Sequence, residues 1–395
     1  CLAEAALLAG IPQRPARFNP RKHLDHALER REFVLSRMRE LGLASDDEVR
    51  AAEREHIEIC RPQRRTEAPR FADYVLALRN GNGGAIRTTL DPGIQAAARE
   101  VVSEHAAKLK ATGIDGLAVV VVGVGASELL AMVGSADPTD RRTGFVNGAI
   151  ARRQPGSLLK PFIYAAAFDC GLLTPQSVVY DVPSSWPGYR PRNMDRGYLG
   201  PVSAAEALAR SRNVPAVRLL GALGASRLAT DIKRMGLNVR SAEERCGLSL
   251  ALGTAEVRLI DIANAYATLA RLGRWHRLRV FAEEAPGPAE RVYSPGAAYL
   301  TLRSLGAADP GRRGRPVWKT GTSWNCRDAW AVTITPKHVA AVWCGKHSGR
   351  GHPGLIGARA ALPLAIEIAE RISGRETGTW ARPPGVGVRR VCAVS

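Results

Sequence analysis

The spacing of apolar and polar residues places two groups of strands far apart along the chain. Apolar runs of strand length occupy 117–124 and 129–133, and the Gly-Ala-Ser turn between them predicts a hairpin. Three further strand-like segments occupy 316–322, 329–335 and 339–344, and the last two predict a second hairpin. Any single sheet built from these strands therefore draws on two distant segments.

Helical spacing dominates the sequence between the two groups. Apolar residues recur at helical intervals in 155–169, 203–220 and 255–272, and again in a closing segment, 358–372. Strands divided in this way, with helices inserted between them, predict an α+β fold in which helices flank an antiparallel sheet and also form a lobe.

The first part of the chain has a different character. Helical spacing covers 3–10 and 24–41, and Ser45, followed by three acidic residues, predicts the N-cap of a third helix. The basic, proline-bearing stretch 61–70 then predicts a linker.

Composition indicates a folded chain with an unusual charge. Of 395 residues, 45% are hydrophobic and 24% charged, which excludes wholesale disorder and suits two folded units or one with appendages. The net charge of +19 suits an anionic partner, such as nucleic acid, a membrane face or an acidic polymer.

Seven scattered cysteines without metal-ligand spacing predict neither a disulfide scaffold nor a metal site. No apolar stretch reaches the ~18 residues of a membrane helix.

Chemistry is first suggested by a Ser-x-x-Lys sequence at a predicted helix start. Ser157 and Lys160 follow Pro155-Gly156 and lie one turn apart on one helix face. An amine with a lowered pKa can take the proton of a serine nucleophile, and N–H groups at a helix start can stabilise an oxyanion. Alone, the pattern equally fits a helix-start serine beside a surface lysine.

Two further motifs follow. Ser211 and Asn213 lie two residues apart, a spacing that cannot share one face of a continuous helix, so a turn between helices is predicted there. The third motif lies at the end of a predicted strand and consists of Lys319, Thr320, Gly321, Thr322 and Ser323. Strand alternation places Lys319 and Gly321 on one face, and Thr320 and Thr322 on the other. By themselves these motifs also fit a helix cap and a polar edge strand.

The ordered set of three motifs resembles the signature of penicillin-recognising serine acyltransferases. The surrounding sequences 88–91, 154–164 and 319–330 are similar to class A penicillin-binding proteins, and 319–330 and 71–74 resemble the 1C type most. The resemblance implies the penicillin-binding and serine β-lactamase-like transpeptidase fold. It also implies four segments: the end of a glycosyltransferase domain (1–60), a linker (61–86), the transpeptidase domain (87–376), and a linker with the start of a C-terminal domain (377–395).

The same resemblance implies DD-transpeptidation of peptidoglycan stem peptides through a serine acyl-enzyme. Ser157 would be the nucleophile, Lys160 its base and Ser211 a proton relay. Asn213 would fix the substrate and Lys160, while Lys319 would supply positive potential. Thr320, Gly321, Thr322 and Ser323 would line the substrate site, and the backbone N–H groups of Ser157 and Thr322 would form the oxyanion hole. No metal or cofactor is implied.

Partners and location follow from the resemblance in the same way. It implies stem peptides, lipid-linked glycan strands and β-lactam inhibitors as partners, and no nucleic acid. It also implies a parent protein with glycosyltransferase activity at the periplasmic face of the bacterial inner membrane, anchored by a segment outside this chain. A carboxypeptidase or β-lactamase that gives the acyl group to water, and a penicillin-binding sensor without turnover, remain alternatives.

Overall fold

The computed structural model describes residues 1–59, 67–79, 84–239, 246–308, 314–374 and 378–389. The chain divides into two compact units, Cys1–Arg65 and Thr66–Ser395. Residues 61–66 and 80–83 of the predicted linker, and 377 and 390–395 of the predicted C-terminal segment, lie outside the described residues.

The first unit is helical. Its helices are α1 (Leu2–Gly10), α2 (Leu24–Glu40) and α3 (Asp46–Arg54). They pack through small and aliphatic side chains that include Ala6, Leu35 and Val49. Ser45 caps α3 as predicted, because its Oγ accepts from the N–H of Glu48 while the Glu48 carboxylate accepts from the N–H of Ser45.

The second unit contains helices and strands in alternating groups. The helices are α4 (Pro69–Leu78), α5 (Pro92–Ala111), α6 (Lys160–Asp169), α7 (Ala204–Ala209), α8 (Asn213–Leu223), α9 (Ala225–Arg234), α10 (Leu259–Ala270), α11 (Pro295–Leu305), α12 (Gly357–Ala360) and α13 (Leu362–Ser373). The strands are β1 (Gly116–Gly123), β2 (Leu129–Val133), β3 (Val178–Asp181), β4 (Gly200–Ser203), β5 (Arg274–Trp275), β6 (Glu290–Arg291), β7 (Val317–Thr322), β8 (Asp328–Ile334) and β9 (His338–Gly345).

The main sheet joins the two predicted strand groups. Within the described part of the chain, its order is β2-β1-β9-β8-β7 and every neighbouring pair is antiparallel. Alternate residues of the central strands belong to two different cores, so the sheet is buried on both faces. Helices α5 and α13 cover one face with side chains such as Val102 and Ile368, and α6 and α10 contribute to the core on the other. The predicted α+β architecture is confirmed.

One segment expected to be a linker is structured. The range 61–86 contains α4, which contributes Phe71 and Val75 to the main core. The helix begins at Pro69, a residue that suits the first turn of a helix because proline lacks an N–H. Pro69, one of the two prolines in the stretch 61–70 that suggested a linker, therefore marks a helix start.

Candidate active site

Ser157 lies in a short 3₁₀ turn that leads directly into a buried helix. The turn spans Gly156–Leu159, and α6 begins at Lys160. Ser157 is half-buried, whereas the side chain of Lys160 is 0% exposed. The predicted helix start is confirmed, although its first turn is 3₁₀.

The Ser157 turn packs against β7 through backbone atoms. Gly156 has a φ of 57°, and a Cβ at that position would overlap the carbonyl of Thr322. A Cβ on Gly321 would likewise overlap the carbonyl oxygen of Pro155. Both glycines are therefore required for close approach, which brings the residue before Ser157 against the end of β7.

Two buried aromatic side chains fix the same turn. The hydroxyl of Tyr266 on α10 donates to the carbonyl oxygen of Leu158 at 2.7 Å. The indole N–H of Trp330 on β8 donates to the carbonyl oxygen of Gln154 at 2.9 Å. The turn is thus tied to a helix and to the sheet on either side of Ser157.

Ser211 and Asn213 lie at a break between two helices, as predicted. Helix α7 ends at Ala209 and α8 begins at Asn213. Ser211 between them has a φ of 57°, a left-handed conformation that costs a non-glycine residue about 1–2 kcal/mol. Because of this turn, the side chains of Ser211 and Asn213 both reach Lys160, which they could not do from one continuous helix.

The two motif lysines converge on Ser211. Lys160 Nζ donates to the Ser211 carbonyl oxygen and to Asn213 Oδ1, each at 2.6 Å, and lies 3.5 Å from Ser211 Oγ. Lys319 Nζ donates to Ser211 Oγ and to the Thr320 carbonyl oxygen, each at 2.8 Å. One hydroxyl therefore lies between two amines contributed by a helix and a strand.

Burial alters the proton affinity of both lysines. Burial holds the pKa of Lys160 well below its usual value, and the charges of Lys319 and Arg212 lower it further. Burial lowers the pKa of Lys319 to about 7. The lowered pKa of Lys160 favours its neutral amine, the form that accepts a proton.

Strand β7 presents its outer edge to the site. Its burial alternates as predicted, with Lys319 and Gly321 buried and Thr320 and Thr322 half-buried. The N–H of Ser323 donates to Asp328 on β8, and in an antiparallel ladder the N–H of the preceding Thr322 then points away from β8. That N–H lies on the free edge of the sheet, beside Gly156.

Two hydroxyls at the end of β7 have structural partners. Thr322 Oγ1 accepts from the N–H of Gly357 at 3.0 Å and keeps its own hydrogen to donate. Ser323 Oγ accepts from the N–H of Asp328 at 2.8 Å and helps to close the turn after β7. The substrate-binding role expected for Ser323 stays a prediction.

Sequence reasoning missed a buried ion pair behind Ser211. Arg212 Nε donates to the carboxylate of Asp181, which is 0% exposed, at 2.6 Å. Arg212 was visible as the middle residue of the Ser-x-Asn motif, whereas Asp181 lies on a short strand without a recognisable pattern.

Comparison with known proteins gives a consistent picture. A family model described as the penicillin binding protein transpeptidase domain matches residues 117–332, a range that includes all three motifs. Penicillin-binding protein 1C of Escherichia coli is 36% identical over 98% of this chain and 51% of its own length. Penicillin-binding protein 1F of Bacillus subtilis is 29% identical over 87% of this chain and 53% of its own length.

Solved structures share the fold. Penicillin-Binding Protein 1A from Haemophilus influenzae superposes with a TM-score of 0.73 over 97% of this chain and 81% of its own, at 20% identity. The PonA1 protein from Mycobacterium tuberculosis, in complex with penicillin V, gives a TM-score of 0.65 over 81% of this chain and 95% of its own, at 25% identity. The chain spans about half the length of the 1C and 1F relatives.

Proposed function

This chain belongs to the penicillin-binding protein transpeptidase family, and we propose on that premise that it cross-links peptidoglycan stem peptides through an acyl-enzyme on Ser157. The observation that supports this most directly is the convergence of Lys160 and Lys319 on Ser211 Oγ. Acyl transfer requires a proton to move from the nucleophile to the leaving group. The amines of Lys160 and Lys319 and the hydroxyl of Ser211 are groups that can carry that proton.

In the acylation step, Ser157 Oγ attacks the carbonyl of the penultimate D-alanine while Lys160 Nζ accepts its proton. Ser211 Oγ passes a proton to the leaving amine, the C–N bond breaks, and the terminal D-alanine departs. The 3.5 Å distance from Lys160 Nζ to Ser211 Oγ supports this relay. Asn213 Oδ1, at 2.6 Å from Lys160 Nζ, orients the amine.

The developing oxyanion would be held by the N–H groups of Ser157 and Thr322. Ser157 is in the first turn of a helical segment, where N–H groups lack intrahelical partners, and the Thr322 N–H lies on the free edge of β7. By analogy with other acyl transfers, each donor contributes about 3 kcal/mol. Lys319, Thr320 and Thr322 would bind the terminal carboxylate.

In the second step, an amine of another stem peptide attacks the Ser157 ester and the serine oxygen recovers its proton. The same site gives a hydrolase if water attacks instead. Because Lys160 and Lys319, from the first and third motifs, both contact Ser211 of the second motif, we favour turnover over a sensor that only binds penicillin.

The test is labelling with a fluorescent penicillin, which forms a stable ester with an acylating serine. We expect the wild type and the control Ser103→Ala, an exposed serine on α5, to label equally, and Ser157→Ala not to label. Labelling of Ser157→Ala would contradict the assignment. A donor and acceptor peptide pair then separates the reactions, because cross-linked dimer indicates transpeptidation and free D-alanine without dimer indicates hydrolysis.

The wider context stays a prediction from the resemblance. This covers the glycosyltransferase origin of residues 1–60, the bifunctional parent protein, glycan-strand partners, and location at the periplasmic face of the inner membrane. Among the described residues, no helix has the length and hydrophobicity to cross a bilayer.

A further inference from the structure

We propose that the buried Asp181–Arg212 pair is a positioning device that holds Ser211 and Asn213 against Lys160 and sets the pH range of acylation. This inference rests on the proposed function and concerns two residues, Asp181 and Arg212, to which the motifs assign no role. Its basis is a hydrogen-bond network that connects β3, the loop 192–199 and the turn between α7 and α8.

The Asp181 carboxylate is fully used within the protein. Its Oδ1 accepts from the side-chain amide of Asn193 at 2.7 Å. Its Oδ2 accepts from the N–H of Leu199 at 3.0 Å and from Arg212 Nε at 2.6 Å. A buried carboxylate is tolerated only with such compensation, so the network fixes its members relative to one another.

Arg212 makes the complementary set of contacts. Besides Asp181, it donates from Nη1 to Asp195 Oδ2 at 2.7 Å and from Nη2 to the carbonyl oxygen of Gly197 at 2.5 Å. The planar guanidinium thus has each of its three nitrogens engaged by a different acceptor, which fixes the backbone at residue 212.

The network reaches Asn213 by a second route. The N–H of Asn213 donates to Asn193 Oδ1 at 2.8 Å, and the Asn213 side-chain amide donates to the carbonyl oxygen of Arg192 at 2.7 Å. Asn213 Oδ1 is thereby turned towards Lys160 Nζ. The left-handed backbone of Ser211 directly precedes the two anchored residues Arg212 and Asn213, whose contacts supply the free energy that its strain requires.

The pair also acts on Lys160 electrostatically, and its two members act in opposite directions. Arg212 lowers the pKa of Lys160 and Asp181 raises it, alongside the larger effects of burial and of Lys319 on β7. Tyr164, one turn further along α6, stays protonated because burial and Asp181 raise its pKa. Among the described residues, the charged groups that act on this amine are thus Lys319, Arg212 and Asp181.

The experiment measures the second-order rate of labelling by a fluorescent penicillin against pH for Asp181→Asn and Arg212→Met. We expect both variants to label roughly 10- to 100-fold more slowly at pH 7, the scale of loss for misplaced catalytic groups. The acid limb of the profile should move to lower pH in Asp181→Asn and to higher pH in Arg212→Met. A limb that is unmoved in both, or that moves in one direction in both, would overturn the proposal.

The control is another aspartate–arginine pair in the same unit, whose carboxylate is buried and whose guanidinium is partly exposed. Asp231 on α9 is 1% exposed and pairs with Arg227 at 3.0 Å, outside the groups that affect Lys160. Asp231→Asn should lower the melting temperature but leave the acid limb in place. A shift of the acid limb of Asp231→Asn that is as large as the shift of either test variant would show a general effect of destabilisation and overturn the proposal.

A variant that fails to fold and a wild type that fails to label are interpreted separately. Where a single variant fails to fold, the double variant Asp181→Asn/Arg212→Met, which leaves no unpaired buried charge, replaces it. We expect the double variant to label at least tenfold more slowly, and a wild-type rate would overturn the proposal. Absence of labelling in the wild type would instead contradict the proposed function.

Discussion

Lys319 donates from Nζ to Ser211 Oγ at 2.8 Å, so the lysine expected to attract a carboxylate also touches the hydroxyl expected to carry a proton. Burial lowers the pKa of Lys319 to about 7, and its positive charge is therefore lost as pH rises through neutrality. We expect labelling by a carboxylate-bearing penicillin to fall by about 10- to 100-fold above this pH, since charge-assisted hydrogen bonds contribute about 1.5–3 kcal/mol. Rates measured from pH 5 to 10 test this.

The matched control for that profile is the methyl ester of the same penicillin. Without a carboxylate, its labelling rate should lack this alkaline fall. In Lys319→Arg the guanidinium stays charged, so the fall should move to higher pH. An identical fall for the acid and the ester would contradict a role for Lys319 in carboxylate binding.

Lys319 also makes stability depend on pH. Its pKa is about 7 in the folded state and near 10.5 when unfolded, so between these values the unfolded chain binds more protons and stability rises with pH. Below about pH 7, where Lys319 is protonated in both states, the folded protein bears the full free-energy cost of burying its charge. Relative to Lys319→Met, the wild type should therefore gain on the order of a few kcal/mol from pH 7 to 10.5. Denaturant unfolding at several pH values measures this, and parallel curves for the two proteins would contradict it.

Gly156→Ala should separate the Ser157 turn from β7. The added Cβ would overlap the Thr322 carbonyl, so we expect a loss of roughly 2–4 kcal/mol of stability and of most labelling. Gly171→Ala is the matched control, because Gly171 has a φ of 71° but no atom within 4 Å of its added Cβ. It should cost only about 1 kcal/mol and keep normal labelling. Equal labelling of both variants would contradict the packing argument.

Thr322→Val keeps the backbone N–H but removes the hydroxyl. We expect weaker recognition of a carboxylate-bearing penicillin, with labelling about tenfold slower at low concentration and a smaller deficit at saturation. Thr333→Val on β8 is the comparison, since its buried hydroxyl donates to main-chain oxygens of the core. That variant should lower the melting temperature without changing the labelling rate. A deficit in Thr322→Val that persists at saturation would place its effect on the chemical step.

The fold and the geometry of the motifs could be predicted from the sequence because both depend on local patterns of apolar and polar residues. Strands β1, β2, β8 and β9 of the main sheet contain apolar runs, and the break at Ser211 follows from two polar residues spaced against the helical period. The observed φ of 57° at Ser211 confirms that break. That Lys160 and Lys319 lie close to the same residue, Ser211, could be expected because the order of the three motifs indicates the family fold.

The Asp181–Arg212 pair was not accessible in the same way. Asp181 ends a four-residue strand whose first three residues are exposed or half-buried, so neither apolar alternation nor length marks it. Its importance arises from long-range contacts with Asn193, Leu199 and Arg212. Pairings between residues this far apart in sequence leave no periodic signal in a single chain.

The contact between Gly156 and Thr322 is made by two stretches of main chain. Contacts between side chains can loosen through rotamer changes within nanoseconds, but two backbones in contact separate only when a whole segment moves. The turn that carries Ser157 and the strand that carries Lys319 therefore act as one rigid body on fast timescales. The site is thus organised before a ligand arrives, and little of the binding free energy is consumed in ordering it.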